Sequence, residues 1–146
     1  MAKCSDVMTR DPVACEPDEA INRVAEIMKR EDVGAVPVIE TAASRRLVGI
    51  ITDRDVVVRV VAAGRAPESA AREAMTSSPV TCREDEDVSE AVARMAERQV
   101  RRLPVVDGQG RLCGIIAQAD IATRVHQDKT TGELVEAISE RGTVRK

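Results

Sequence analysis

Leu47-Val48-Gly49-Ile50-Ile51-Thr52-Asp53-Arg54-Asp55 recurs 65 residues later as Leu112-Cys113-Gly114-Ile115-Ile116-Ala117-Gln118-Ala119-Asp120. Each copy is a short apolar run, as a buried strand requires, followed by a segment that opens a helix on an acidic residue. The correspondence extends towards the N-terminus at an offset of 67 residues. Met8-Thr9 matches Met75-Thr76, Pro12-Val13 matches Pro79-Val80, and Cys15 matches Cys82. Asp18-Glu19 matches Asp85-Glu86, Met28 matches Met95, and Pro37-Val38 matches Pro104-Val105. The change from 67 to 65 means that one loop is two residues shorter in the second copy. Identities kept in order along the chain mark an internal duplication.

Each copy reads as β-α-β-β-α. A short extended piece, Pro12–Cys15 or Pro79–Cys82, precedes a helix. Pro17 suits the first helical position, with Asp18 and Glu19 at the positive end of the helix dipole. The apolar face is Ile21, Val24, Ala25 and Met28, repeated as Val88, Ala91, Val92 and Met95, at i, i+3, i+4, i+7. Two short apolar strands follow, 35–39 and 47–51, mirrored by 103–106 and 112–116; Asp107-Gly108-Gln109-Gly110 marks the turn in the second pair. A last helix is expected from Asp53 to Gly64, and its counterpart from Gln118 to His126. The domain reading is repeat 1 at 5–63, a linker at 64–73, repeat 2 at 74–126, and a tail at 127–146. The tail carries a short amphipathic helix with Leu134, Val135 and Ile138 on one side. One repeat alone makes a thin sheet. The fold class is therefore α/β of the α+β kind, with two repeats packed sheet to sheet in pseudo-twofold symmetry.

Composition narrows the function. The 146 residues include no Phe, Tyr or Trp, so the core is aliphatic and a bound base would lie between aliphatic side chains. That argues against the aromatic platforms that grip single-stranded nucleic acid. The net charge of −3 gives no basic excess to attract a nucleic acid backbone. Asp6, Arg10, Asp11 and Glu16 break up any signal-peptide run, and Val56–Ala63 is too short to span a bilayer. The expectation is a soluble cytoplasmic protein. No phosphate-binding loop, nucleophile elbow or zinc-ribbon spacing is present, and no nucleophile–base set supports an enzyme.

Several segments resemble CBS domains. They are Val7-Met8-Thr9, Val33-Gly34-Ala35-Val36-Pro37-Val38 and the 47–55 stretch, with partners at 74–76, 100–107 and 112–120. The resemblance covers about residues 5–125 and implies a tandem CBS pair, a Bateman module. Such pairs bind adenosine nucleotides in two clefts between the repeats and signal to other proteins. The resemblance implies a regulatory module sensing AMP, ADP or ATP and acting on a partner in trans, without a resident cofactor or metal. A homodimer is implied too, with contacts expected from Val56, Val57, Val60, Val61, Ile121 and Val125.

The resemblance also assigns sites. Asp55 and Asp120 take the ribose hydroxyls. Thr52 and Arg54 face phosphate in the first copy, where a helix N-terminus favours an anion. Thr52 and Asp53 equally suit a simple helix cap, with Asp55 favourable in its first turn. The second copy has Ala117 and Ala119 in place of Thr52 and Arg54, but it carries Arg101 and Arg102 where the first has Gly34 and Ala35. In the family, those arginines reach phosphate; as exposed residues they equally make surface ion pairs. The base of the Asp120 nucleotide falls to Val13, Ala14, Val33 and Ala35. The base of the Asp55 nucleotide falls to Val80, Thr81, Val100 and Arg102.

Two further readings stay open. One is an interaction module with degenerate clefts, favoured by the loss of the Thr52 hydroxyl at Ala117. The other is a thiol or metal sensor built on Cys15 and Cys82, which occupy equivalent positions and equally suit plain burial. His126 is read as a polar helix-end residue.

Overall fold

Strand β1 (Thr9–Arg10), β7 (Leu112–Ala117), β6 (Arg102–Val106) and β5 (Cys82–Arg83) form a four-stranded sheet in that order. A three-stranded sheet runs β2 (Ala35–Ile39), β3 (Leu47–Thr52), β4 (Thr76–Ser77). The coordinates are those of a computed structural model and describe residues 2–124. Val125, His126 and the tail helix expected near Leu134, Val135 and Ile138 lie outside the described residues. Helices are α1 (Cys4–Val7), α2 (Ile21–Glu31), α3 (Asp53–Asp55), α4 (Val88–Arg98) and α5 (Gln118–Arg124). A π-helical stretch, Val56–Val61, continues α3, and a 3-10 turn spans Ala71–Glu73.

The chain divides into two compact units that do not follow the repeat boundaries. One holds Pro12–Pro79 and Gln109–Leu112; the other holds, of the described residues, 2–11, Val80–Gly108 and 113–124. Each repeat thus sends its opening segment into the unit built by the other. Thr9 and Arg10 pair antiparallel with Ile115 and Gly114, while Thr76 and Ser77 pair with Ile50 and Gly49. The expected linker is partly structured for the same reason. Residues 68–75 match 1–8, and Ala71 and Ala74 are buried like Cys4 and Val7.

The expected start of the first helix at Pro17 moves to Ile21, with Ala20 as its N-cap residue. The cause is non-local. The N–H groups of Ile21 and Asn22 donate to the carbonyls of Ser69 and Pro67, at 2.9 Å each. In the second copy Val88 donates to Ala2. Incoming chain satisfies the open helix end where a side-chain cap otherwise would. Residues 16–19 are left as a turn, in which Glu19 accepts from the Glu16 N–H at 2.6 Å. Glu86 does the same for Arg83 at 2.7 Å, which accounts for the repeated glutamate. Arg94 adds two bonds to the Glu86 carboxylate and one to the Thr81 carbonyl. That guanidinium holds Glu86 below the usual carboxylate range.

The expected apolar face of α4 is buried in full, whereas on α2 Ala25 is exposed and Ile27 is buried instead. The position equivalent to Ile27 is Arg94, whose guanidinium serves Glu86. One helix position therefore does packing in one unit and ion pairing in the other. The helix expected from Asp53 to Gly64 is present but changes character. After Asp55 its hydrogen bonding becomes π-type, and Gly64 ends it at a φ of 73°, which a side chain would disfavour.

Candidate functional site

Strands β3 and β7 each end on a turn that brings a carboxylate back to the strand's last residue. At the end of β3, the Thr52 N–H donates to Asp55 Oδ2 at 2.9 Å, and the Asp55 N–H donates to Thr52 Oγ1 at 3.1 Å. This is a reciprocal capping box. Thr52 caps the helix as expected, but Asp55 rather than Asp53 closes the box with it. A carboxylate has about four acceptor sites, so the cap leaves capacity on Asp55. Arg59 Nε lies 3.7 Å from Asp55 Oδ1, and its guanidinium also donates to the Met75 carbonyl at 3.0 Å. Sequence reading passed over Arg59, although its i+4 spacing from Asp55 was visible. Arg54 is exposed.

At the end of β7 half of that arrangement survives. The Ala117 N–H donates to Asp120 Oδ2 at 3.2 Å, but Ala117 has no hydroxyl with which to accept the return bond. Asp55 and Asp120 are both half-buried. The carbonyl of Arg101 accepts from the Gln118 N–H, as the carbonyl of Gly34 accepts from Asp53. These bonds fix the segments before β6 and β2 against the turns that carry the carboxylates. Arg101 is exposed and Arg102, the first residue of β6, is half-buried.

The residues expected to face a base sort by unit. In the first-repeat unit Val13 and Val33 are 38% and 43% exposed, unusual for valine, while Ala14 is half-buried and Ala35 is buried at the start of β2. In the other unit Val80, Thr81 and Val100 are half-buried, and Val80 and Val100 pack against the core.

Cys15 and Cys82 occupy the same place in their own units. Cys15 bridges Val38 and Cys82 pairs with Val105, both in parallel register. Each is buried in a separate core cluster. Burial pushes the Cys15 thiol up to about 12, and that of Cys113 up to about 11. Among the described residues no three His, Cys, Asp or Glu side chains cluster as a metal site. Among them, too, no helix is long and apolar enough to cross a membrane.

The CBS domain family profile matches residues 4–62 and 71–127. The chain is 34% identical over 139 residues to the CBS domain-containing protein YhcV of Bacillus subtilis (strain 168), covering 95% of this chain and 96% of that one. Among solved structures it is similar to Hypoxic Response Protein I with two coordinated zinc ions. The TM-score is 0.76 at 32% identity, over 84% of this chain and 98% of that one. It is also similar to the CBS domain pair of protein MJ0100, solved with 5'-methylthioadenosine and S-adenosyl-L-methionine. There the TM-score is 0.76 at 26% identity, over 88% and 99% of the two chains.

Proposed function

Because the chain belongs to the CBS domain family, we propose that it is a regulatory module that binds an adenosine nucleotide and signals to a partner protein in trans. One observation carries this reading. Both repeats hold an aspartate at the same turn, tied back by one oxygen to the end of its strand. Such a carboxylate is pre-positioned to accept from the two hydroxyls of a ribose. The adenosyl ligands of the MJ0100 pair support the same ligand class. Asp55 and Asp120 take ribose. Thr52, Arg54, Arg101 and Arg102 supply the charge and hydroxyl for phosphate. The small and branched side chains of Val13, Ala14, Val33, Ala35, Val80, Thr81 and Val100 supply surface for the base.

The test is melting of the purified protein with millimolar AMP, ADP and ATP, joined to titration calorimetry. A ligand selective for the native state adds about 2.7 kcal/mol at a hundredfold excess over Kd. For a chain of this size that is a rise of roughly 5–10 °C. With no Trp or Tyr to report by fluorescence, circular dichroism must follow it. Asp55→Ala and Asp120→Ala should each remove one binding event. Unmoved melting and no heat with all three nucleotides would transfer support to an interaction module with degenerate clefts.

The assembly proposed is a homodimer through the π-helical stretch. The expected contact set needs correction, because Val60 is 3% and Ile121 0% exposed within their own cores. The free apolar face is Val57, Val58 and Val61, at 58%, 46% and 70% exposure. Sedimentation should give a dimer at micromolar concentration, and Val61→Lys should shift it to monomer. A wild-type chain that sediments only as monomer would end the proposal.

A further inference from the structure

Cys4 opens α1, and Cys82 opens β5. The Cys4 N–H donates to the Glu86 carbonyl at 2.8 Å and the Ser5 N–H to the Glu84 carbonyl at 3.0 Å. The first turn of α1 therefore lies against the turn that directly follows Cys82. Both side chains belong to one core cluster, at 0% and 1% exposure, with the Cys4 thiol donating to the Asp87 carbonyl at 3.9 Å and the Cys82 thiol to the Pro104 carbonyl at 4.0 Å. The duplication supplies an internal comparison. Cys82 corresponds to Cys15, but Cys4 corresponds to Ala71. Cys15 and Ala71 share the core of the other unit. The same pocket is built twice, and in one copy it holds two sulfurs.

We propose that Cys4 and Cys82 form a redox-active dithiol, closing to an intramolecular disulfide when a peroxide reaches the opened N-terminal segment. Cys4 is the attacking sulfur. The neighbouring Cys82 thiol holds the Cys4 thiol below its ordinary range, while the nearness of Cys4 and burial hold Cys82 above its own. The Cys4 thiolate attacks one peroxide oxygen. The O–O bond breaks, a sulfenic acid forms, and the other oxygen leaves as water or an alcohol carrying the thiol proton. The Cys82 sulfur then attacks the Cys4 sulfur. The S–S bond forms, the S–O bond breaks, and hydroxide leaves with the Cys82 proton as water. Two thiols give up two electrons and the peroxide accepts them.

Access comes from local opening. Cys4 sits in a four-residue helix followed by a two-residue strand. Such short elements open far more readily than the whole molecule unfolds. The disulfide would close a covalent ring from residue 4 to residue 82 that contains all of Pro12–Pro79. It would also fix the exchanged opening segment to its unit.

The full-length reduced protein is treated with hydrogen peroxide and followed by intact mass, peptide mapping and melting. The expected product is lighter by two hydrogens and linked between Cys4 and Cys82, with Cys15 still a thiol. Its melting temperature should rise by roughly 10 °C, from loop closure in the unfolded chain. Cys4→Ser should give no link. Ala71→Cys should add a second link, to Cys15. A link between any other pair in the wild-type chain would overturn the assignment. So would Cys4 and Cys82 still open to alkylation, after denaturation, in peroxide-treated protein. An Ala71→Cys chain without its second link would count against the shared pocket geometry.

Discussion

Leu103→Ala is expected to lower the unfolding free energy by about 2–5 kcal/mol, the range for emptying a fully buried leucine site. Leu103 lies in the middle of the four-stranded sheet and is 0% exposed. Its core also holds Met8, Val92, Met95, Ile116 and Ile121, and these come from the exchanged opening segment, α4, β7 and α5. No aromatic ring is available to fill the gap. For a chain of this size the loss corresponds to a fall in melting temperature of roughly 5–15 °C. The matched control is Lys29→Ala at an exposed site on α2, where a change within about 0.5 kcal/mol is expected. Urea unfolding followed by circular dichroism measures both. Equal effects for the two variants would mean that the Leu103 cluster is not a packed core.

Gly114→Ala should cost about 1–3 kcal/mol, as overpacking does. A β-carbon there would lie 2.4 Å from Met8 Sδ and 3.0 Å from the Thr9 carbonyl. Met8 is 2% exposed and has little room to retreat. The equivalent Gly49→Ala meets Met75 Sδ at 2.6 Å, but Met75 is only half-buried and can yield. The Gly49 variant should therefore be the milder of the two. Contact between Gly114 and Met8 also predicts non-additivity: Gly114→Ala should cost less in a Met8→Ala background. An unchanged cost in that background would show that the Met8 side chain is not what crowds the site.

These two glycines show how far the sequence could be read. Their recurrence within Gly-Ile-Ile was visible, and it placed β3 and β7 within a residue of where they run. The strand bounds at 35–39 and the DGQG turn were legible for the same reason, since alternation, apolar runs and turn residues act between chain neighbours. Thr52 was legible as a cap and the cap formed, although Asp55 closes it where Asp53 was expected. Arg59 was the missed partner of Asp55. The i+4 relation was on the page, but a charge on a helix face has many possible partners until the fold selects one.

The duplication, the β-α-β-β-α order, the aliphatic core and the two equivalent aspartates follow from the sequence alone, because each rests on residues a few positions apart or on a pattern repeated whole. Tertiary structure decided the rest. Met8 presses on Gly114 rather than on its own repeat, α2 begins at Ile21 because Ser69 and Pro67 supply its acceptors, and Cys82 meets Cys4 where Cys15 meets Ala71. The reason is physical: an opening segment of eleven residues buries too little by itself to choose a partner, and its place is set by backbone donors and a shaped core that residues tens of positions away provide.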